Sequence, residues 1–153
     1  MRQEIISGRE NWSEAVVVVP PIANYRDATD NDSDKSIAVP GNELWKVLSA
    51  CVFLDTSADA GNRIMTVEII NADGDVIKHV TAGAVQAANT SVDYCFAQGT
   101  YRETTVVNGT LQIPFPFEMY LLPGFALRFY DSAAIAAAAD DMTVNLQYVR
   151  MLV

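Results

Sequence analysis

One histidine, His79, and two cysteines, Cys51 and Cys95, are all that the 153 residues offer in soft metal ligands. A zinc site of His and Cys therefore lacks ligands, and the cysteines have no CxxC spacing. Basic side chains are scarce too: 10 Lys and Arg face 19 Asp and Glu, a net charge of −9. With no basic run, direct nucleic-acid binding is not expected, because such proteins take most of their affinity from cations that neutralise phosphates. No apolar run approaches the roughly 20 residues of a membrane-spanning helix. Residues 1–10 (MRQEIISGRE) hold no apolar core of signal-peptide length, and the run Ala15 to Val19 stops at Pro20-Pro21. The expectation is a chain made and kept in solution, away from membranes, with both cysteines as small buried thiols in place of a disulfide.

Catalytic signatures are missing as well. There is no GxSxG elbow, no glycine loop to cradle phosphate, and no serine or cysteine standing beside a base and an orienting acid. Asp30, Asp32 and Asp34 imitate the opening of a calcium loop, but Lys35 stands where that loop needs glycine and Gly41 where it needs a bidentate glutamate. A glycosidase carboxylate pair among the acids is not readable from spacing, since sequence carries no distance between side chains. His79 reads as a surface or half-buried strand residue. The expectation is a protein that is not an enzyme and holds no metal or cofactor.

What is present is sheet. The chain is 50% hydrophobic and 19% charged, far from a disordered composition, and one domain in length. Seventeen Val stand against nine Leu, which favours strands. Leu44 to Asp55 is a long apolar run. Arg63 to Asn71 alternates, turns at Asn71-Ala72-Asp73-Gly74 and returns through Asp75 to Thr81, predicting a hairpin. Val92 to Gln98 alternates again, Tyr101 to Val107 reads as a strand, and Asn108-Gly109 predicts a hairpin into Thr110 to Ile113. Met119 to Leu122, Phe125 to Asp131 and Met142 to Leu152 complete eight or nine strands; Ala133 to Ala139 reads as a loop with a helical turn. Short strands without long helices predict an all-β, antiparallel two-sheet sandwich of jelly-roll type over residues 43–153.

Residues 1–42 read differently, as an extended N-terminal arm with an acidic linker. Val16 and Val18 sit in a short sticky stretch, and residues 24–36 carry aspartates at 27, 30, 32 and 34. Such a segment suits lying on a neighbour. Trp12 and Tyr25 fall in the arm with no local core, while Phe115, Phe117 and Tyr120 ring Pro114 and Pro116. Trp12, Val16, Val18, Tyr25, Phe115, Phe117 and Tyr120 are therefore the candidate partner-binding residues, since buried aromatics dominate interface energy.

Several segments then resemble the small jelly-roll virion proteins of tailed bacteriophages, of the head-decoration (cement) type and related minor structural proteins. They are Glu43-Leu44-Trp45, Gly61-Asn62-Arg63, the Asp73-Gly74 turn, Tyr94-Cys95-Phe96-Ala97-Gln98-Gly99, Leu121-Leu122-Pro123-Gly124 before Leu127-Arg128, and Ala139-Asp140-Asp141-Met142. Together they span residues 43–153. The resemblance implies a virion protein, assembled in the bacterial cytoplasm, that grips the major capsid protein and neighbouring copies of itself and strengthens the shell. A neck, tail or baseplate position, and a jelly roll that binds carbohydrate on a host surface, stay open beside it.

Overall fold

A computed structural model describes residues 21–115, 120–131 and 137–153. Trp12, Val16, Val18 and Phe117 lie outside the described residues. Ten strands follow one another: β1 (Ile22–Asn31), β2 (Asp34–Ala38), β3 (Glu43–Asp55), β4 (Met65–Ile70), β5 (Val76–Thr81), β6 (Ser91–Ala97), β7 (Thr110–Pro114), β8 (Tyr120–Leu121), β9 (Ala126–Asp131) and β10 (Asp141–Leu152). They build two sheets, as an all-β sandwich requires. The first runs β1-β10-β3-β6-β7, with β8 also paired to β3; the second runs β2-β9-β4-β5. Every pairing is antiparallel except β6 with β7.

The core lies between the sheets, where Val52, Leu54, Met65, Phe96, Phe129 and Val144 are almost fully buried. On β3 the inward residues change phase: Trp45 and Val47 point in, and then Ala50, Val52 and Leu54 do. An alternating strand cannot do this without an extra residue, and the register with β10 slips there, Val47 facing Tyr148 and Ser49 facing Gln147. Leu48 is that extra residue. The expected hairpin is present as β4 and β5, closed by Gly74 at φ 91° and by the Asn71 side-chain carbonyl, which accepts from the N–H groups of Asp73 and Asp75.

Residues 22–38 correct the arm-and-linker expectation. β1 is an edge strand on β10, and β2 is an edge strand on β9, so the sandwich begins before residue 43. The step between them carries the chain from one sheet to the other and is fixed by charge. The ammonium of Lys35 is buried and donates to Thr29 O at 2.7 Å and Asn31 Oδ1 at 3.0 Å, with Asp27 Oδ2 3.2 Å away. Against the upward push of burial, the Thr29 N–H and Lys35 hold the Asp27 carboxyl below the usual carboxylate range. Asp34 pairs with Arg128, and the Asp32 carboxylate accepts from the Asp34 N–H. The aspartates read as a solvated linker are thus largely engaged, one by a base 94 positions away.

A second correction concerns residues 101–107, which form no strand. Asn108 and Gly109 make the expected turn, with φ of 52° and 80°, yet only the Val107–Thr110 bridge and the Glu103 N–H to Gln112 O bond follow from it. β7 lies instead parallel to β6, which sets Leu111 beside Tyr94 and Ile113 beside Phe96 in the core. Residues 102–105 are Arg, Glu, Thr and Thr and have little apolar surface to bury. Arg102 instead donates to Thr81 O and Ala82 O. Ala137–Ala139 is a 3-10 turn, and the rest of the predicted helical-turn segment, up to residue 136, lies largely outside the described residues.

Candidate partner-binding face

The outer surface of the first sheet changes character along its length. On β10 the outward residues Thr143, Asn145 and Gln147 are polar, and then Val149 and Met151 are not. Register carries this change across four strands: Ile22 faces Val149, Val149 faces Lys46, and Lys46 faces Tyr120. Ile22 is 60% exposed and Tyr120 47%, and Leu122, also 47%, follows at the end of β8. Leu44 and Met151, paired on β3 and β10, extend the strip. Its one charge is Lys46, whose ammonium sits 5.8 Å from the Tyr120 ring centre.

The sheet beneath this strip is stiff. Trp45 and Tyr148 stack with ring centres 4.1 Å apart, and the Trp45 N–H donates to Glu43 Oε2 at 2.6 Å. Arg150 lies 3.6 Å from the other Glu43 oxygen. Burial, with Glu43 adding to it, raises the Tyr148 phenol above its ordinary range. A flat, apolar, preformed surface of this kind is suited to docking and has no group for chemistry.

Other polar clusters are engaged internally. On the outer face of the second sheet Arg128 donates to both oxygens of Asp34 and lies 3.5 Å from Glu68, over the Tyr130 ring. Tyr130 in turn donates to Glu68 at 2.8 Å. Arg128 is held even more firmly protonated by Asp34. The Tyr130 face is therefore covered, which removes the stacking platform that a sugar would need here. His79 is exposed, opposite Glu68 in register, and lines an open cleft of about 380 Å³ with Thr81, Arg102 and Pro114. No metal-binding group of three or more His, Cys, Asp or Glu occurs among the described residues.

Two buried polar knots fasten the loops at one end. All five N–H groups of Arg63 are used: on both oxygens of Asp140 at 2.7 and 2.8 Å, on Asp59 O, Gly61 O and Ser57 Oγ. Asp140 also accepts from the Ser57 N–H. Gln86 donates to Leu54 O and Thr90 O while its carbonyl accepts from Tyr94 at 2.9 Å. Burial pushes the Tyr94 phenol above its usual range.

The candidate residues thus separate. Phe115 is 6% exposed and meets Phe96 edge to face at 6.3 Å, so it is core and not a partner anchor: once β7 aligns with β6, the next residue is carried inward. Tyr25 faces Leu146 in register, on the inner side of the first sheet at its open edge, and so is not beside Tyr120. Only Tyr120 falls on the apolar strip. Sequence reading missed Ile22, Val149 and Met151. The signal was present in Met142 to Leu152, where the outward positions stop being polar halfway along. No family model matches this chain, and no curated protein is significantly similar to it.

Proposed function

We propose that the chain is a structural component of a tailed-phage virion, a head-decoration protein of jelly-roll type that binds the major capsid protein and its own neighbouring copies. Strand order is the observation that carries this reading. Set aside β7 and β8, renumber the other eight in chain order, and the sheets run 1-8-3-6 and 2-7-4-5, the order of a double Greek-key jelly roll. The internal fastenings support the same lineage. Glu43 with Trp45, Arg63 with Asp140, and Tyr94 all come from the segments that resemble the virion proteins, and they serve the fold.

Such a protein adheres by surface, and the strip from Ile22 to Tyr120 is a surface without a catalytic group. Stable interfaces bury about 1,200 to 2,000 Å², more than this strip offers. Residues before β1 and symmetry-related copies supply the remainder on this reading. The net charge of −9 keeps a crowded particle surface soluble.

The test is co-sedimentation of the purified chain with capsid heads assembled without it, and separately with tails. Saturable binding to heads is expected, weakened at least tenfold by Tyr120→Ala or Ile22→Asp with melting temperature unchanged. Binding to tails alone moves the protein to the neck, tail or baseplate. Binding to neither refutes the virion reading.

A further inference from the structure

The outer face of the first sheet carries a second row, toward the other end of β3. From edge to edge it reads Arg26, Asn145, Cys51, Cys95, Gln112. At its centre two free thiols face each other across β3 and β6, with the Cys51 S–H donating to Cys95 Sγ at 3.8 Å. Cys51 is exposed and Cys95 half-buried, which corrects the expectation of two buried thiols. The alternation that buries Val52 and Tyr94 turns both cysteines outward.

The ladder around them fixes what kind of pair this is. The Asp93 N–H donates to Gly109 O and the Phe115 N–H to Ala97 O, so odd-numbered residues of β6 turn their backbone groups toward β7. On the other side the Thr56 N–H donates to Thr90 O, an even-numbered residue. Cys51 and Cys95 are therefore a non-hydrogen-bonded antiparallel pair, the kind whose Cα atoms come within about 4.5 Å and whose side chains lie closest. A disulfide spans Cα separations of about 4.4–6.8 Å. Rotation of the two side chains suffices to bring the sulfurs together, with the strands in place.

We propose that Cys51 and Cys95 form a reversible dithiol–disulfide clasp, oxidised by low-molecular-weight disulfides such as glutathione disulfide. Exposure makes Cys51 the thiol that is reached first. Its thiolate attacks one sulfur of glutathione disulfide, forming a mixed disulfide and releasing one glutathione thiolate. Cys95 then gives its proton to water, its thiolate attacks Cys51 Sγ, and the second glutathione leaves. Two protein thiols lose two electrons and two protons, and one glutathione disulfide becomes two glutathiones. Burial, with Cys51 and then Asp93 and Glu103 adding to it, pushes the Cys95 thiol up to about 11, which suits it to the second, resolving step. The bond closes a loop that contains the β4–β5 hairpin, Arg63 and Gln86. Its exposure leaves it open to reduction.

This inference does not rest on the virion reading. Reduced protein is incubated with glutathione disulfide, quenched with acid and mapped by peptide mass spectrometry. The expected product is a monomer lighter by two hydrogens, with the Cys51 and Cys95 peptides joined, a melting temperature higher by roughly 5–15 °C, and full reversal by dithiothreitol. Cys95→Ser is expected to stop at glutathione on Cys51, and Cys51→Ser to slow thiol loss at Cys95 at least tenfold. A disulfide-linked dimer, or glutathione retained on Cys51 of the unaltered chain, overturns the clasp. Equal reactivity of Cys51→Ser and the unaltered chain overturns the order of attack.

Discussion

Changing Asp140 to Asn alters almost nothing in shape and removes one charge from the interior. Both members of the Arg63–Asp140 pair are fully buried. The amide oxygen can still accept from the Ser57 N–H, but the amide nitrogen then points a donor at the Arg63 Nε–H, now 2.7 Å from a carboxylate oxygen. One charge-assisted hydrogen bond is lost, worth about 1.5–3 kcal/mol, and the guanidinium keeps its charge without a counter-ion. Breaking one side of a buried pair costs about 3–5 kcal/mol. In a chain of this size that is a fall in melting temperature of roughly 6–20 °C. The control is next door: Asp141 is exposed, so Asp141→Asn should stay within about 0.5 kcal/mol. Acid provides an independent check. Against burial, Arg63 and Ser57 hold the Asp140 carboxyl below 3.8, so its contribution is present above that value and is lost as pH falls through the lower, folded one. Urea unfolding at pH 7 and at successively lower pH should show the gap between parent and variant narrowing below about pH 4. A gap under 1 kcal/mol at pH 7 (roughly a fivefold change in the folding constant), or one that acid leaves unchanged, refutes the reasoning.

The other substitutions separate core from surface. Phe115→Ala should cost about 3–5 kcal/mol in urea unfolding, whereas Tyr120→Ala should stay within about 0.5 kcal/mol; equal losses would mean that the two have been assigned to the wrong sides of the sheet. A Cβ on Gly83 would lie 2.1 Å from the Glu103 carbonyl oxygen, which is backbone and cannot swing aside. Gly83→Ala should therefore cost about 1–3 kcal/mol and speed hydrogen exchange at the Glu103 amide. Lys35→Met keeps the stem and removes the ammonium that holds Thr29 O and Asn31. Exchange should quicken over residues 27–31 while the amides between β3 and β10 stay protected; unchanged exchange would show that the crossing is held by something else.

The sheet content, the β4–β5 hairpin and the order of the strands from β3 on were legible because each rests on local alternation and turn residues. Asn71 to Asp75 carries its own turn chemistry in five adjacent positions. Pairing at a distance was not legible. Nothing near Asp34 announces Arg128, and nothing near Gly61-Asn62-Arg63 announces Asp140, so a fixed crossing between sheets looked like a loose acidic linker. Asn108-Gly109 shows the opposite failure: the turn forms, but a turn specifies only its own few residues, and the core claims of Leu111 and Ile113 decide which strand lies beside β7. Of the partner-binding candidates, Tyr120 lies on the exposed strip and Phe115 does not. An aromatic beside prolines looks the same in sequence whether it faces in or out.

The position of β10 sets the order of events during synthesis. It is the last of the ten strands, yet it lies between β1 and β3 and pairs with both along most of its length. Until it has left the ribosome, β1 and the whole of one edge of β3 have no ladder, and Val52, Val144 and Leu146 cannot meet. The hairpin β4–β5 can form early because its contacts are local; the first sheet cannot. Folding is therefore completed after translation, at the millisecond-to-second pace of sandwiches dominated by non-local pairing. Throughout that interval the apolar alternation of β3 is available to other chains.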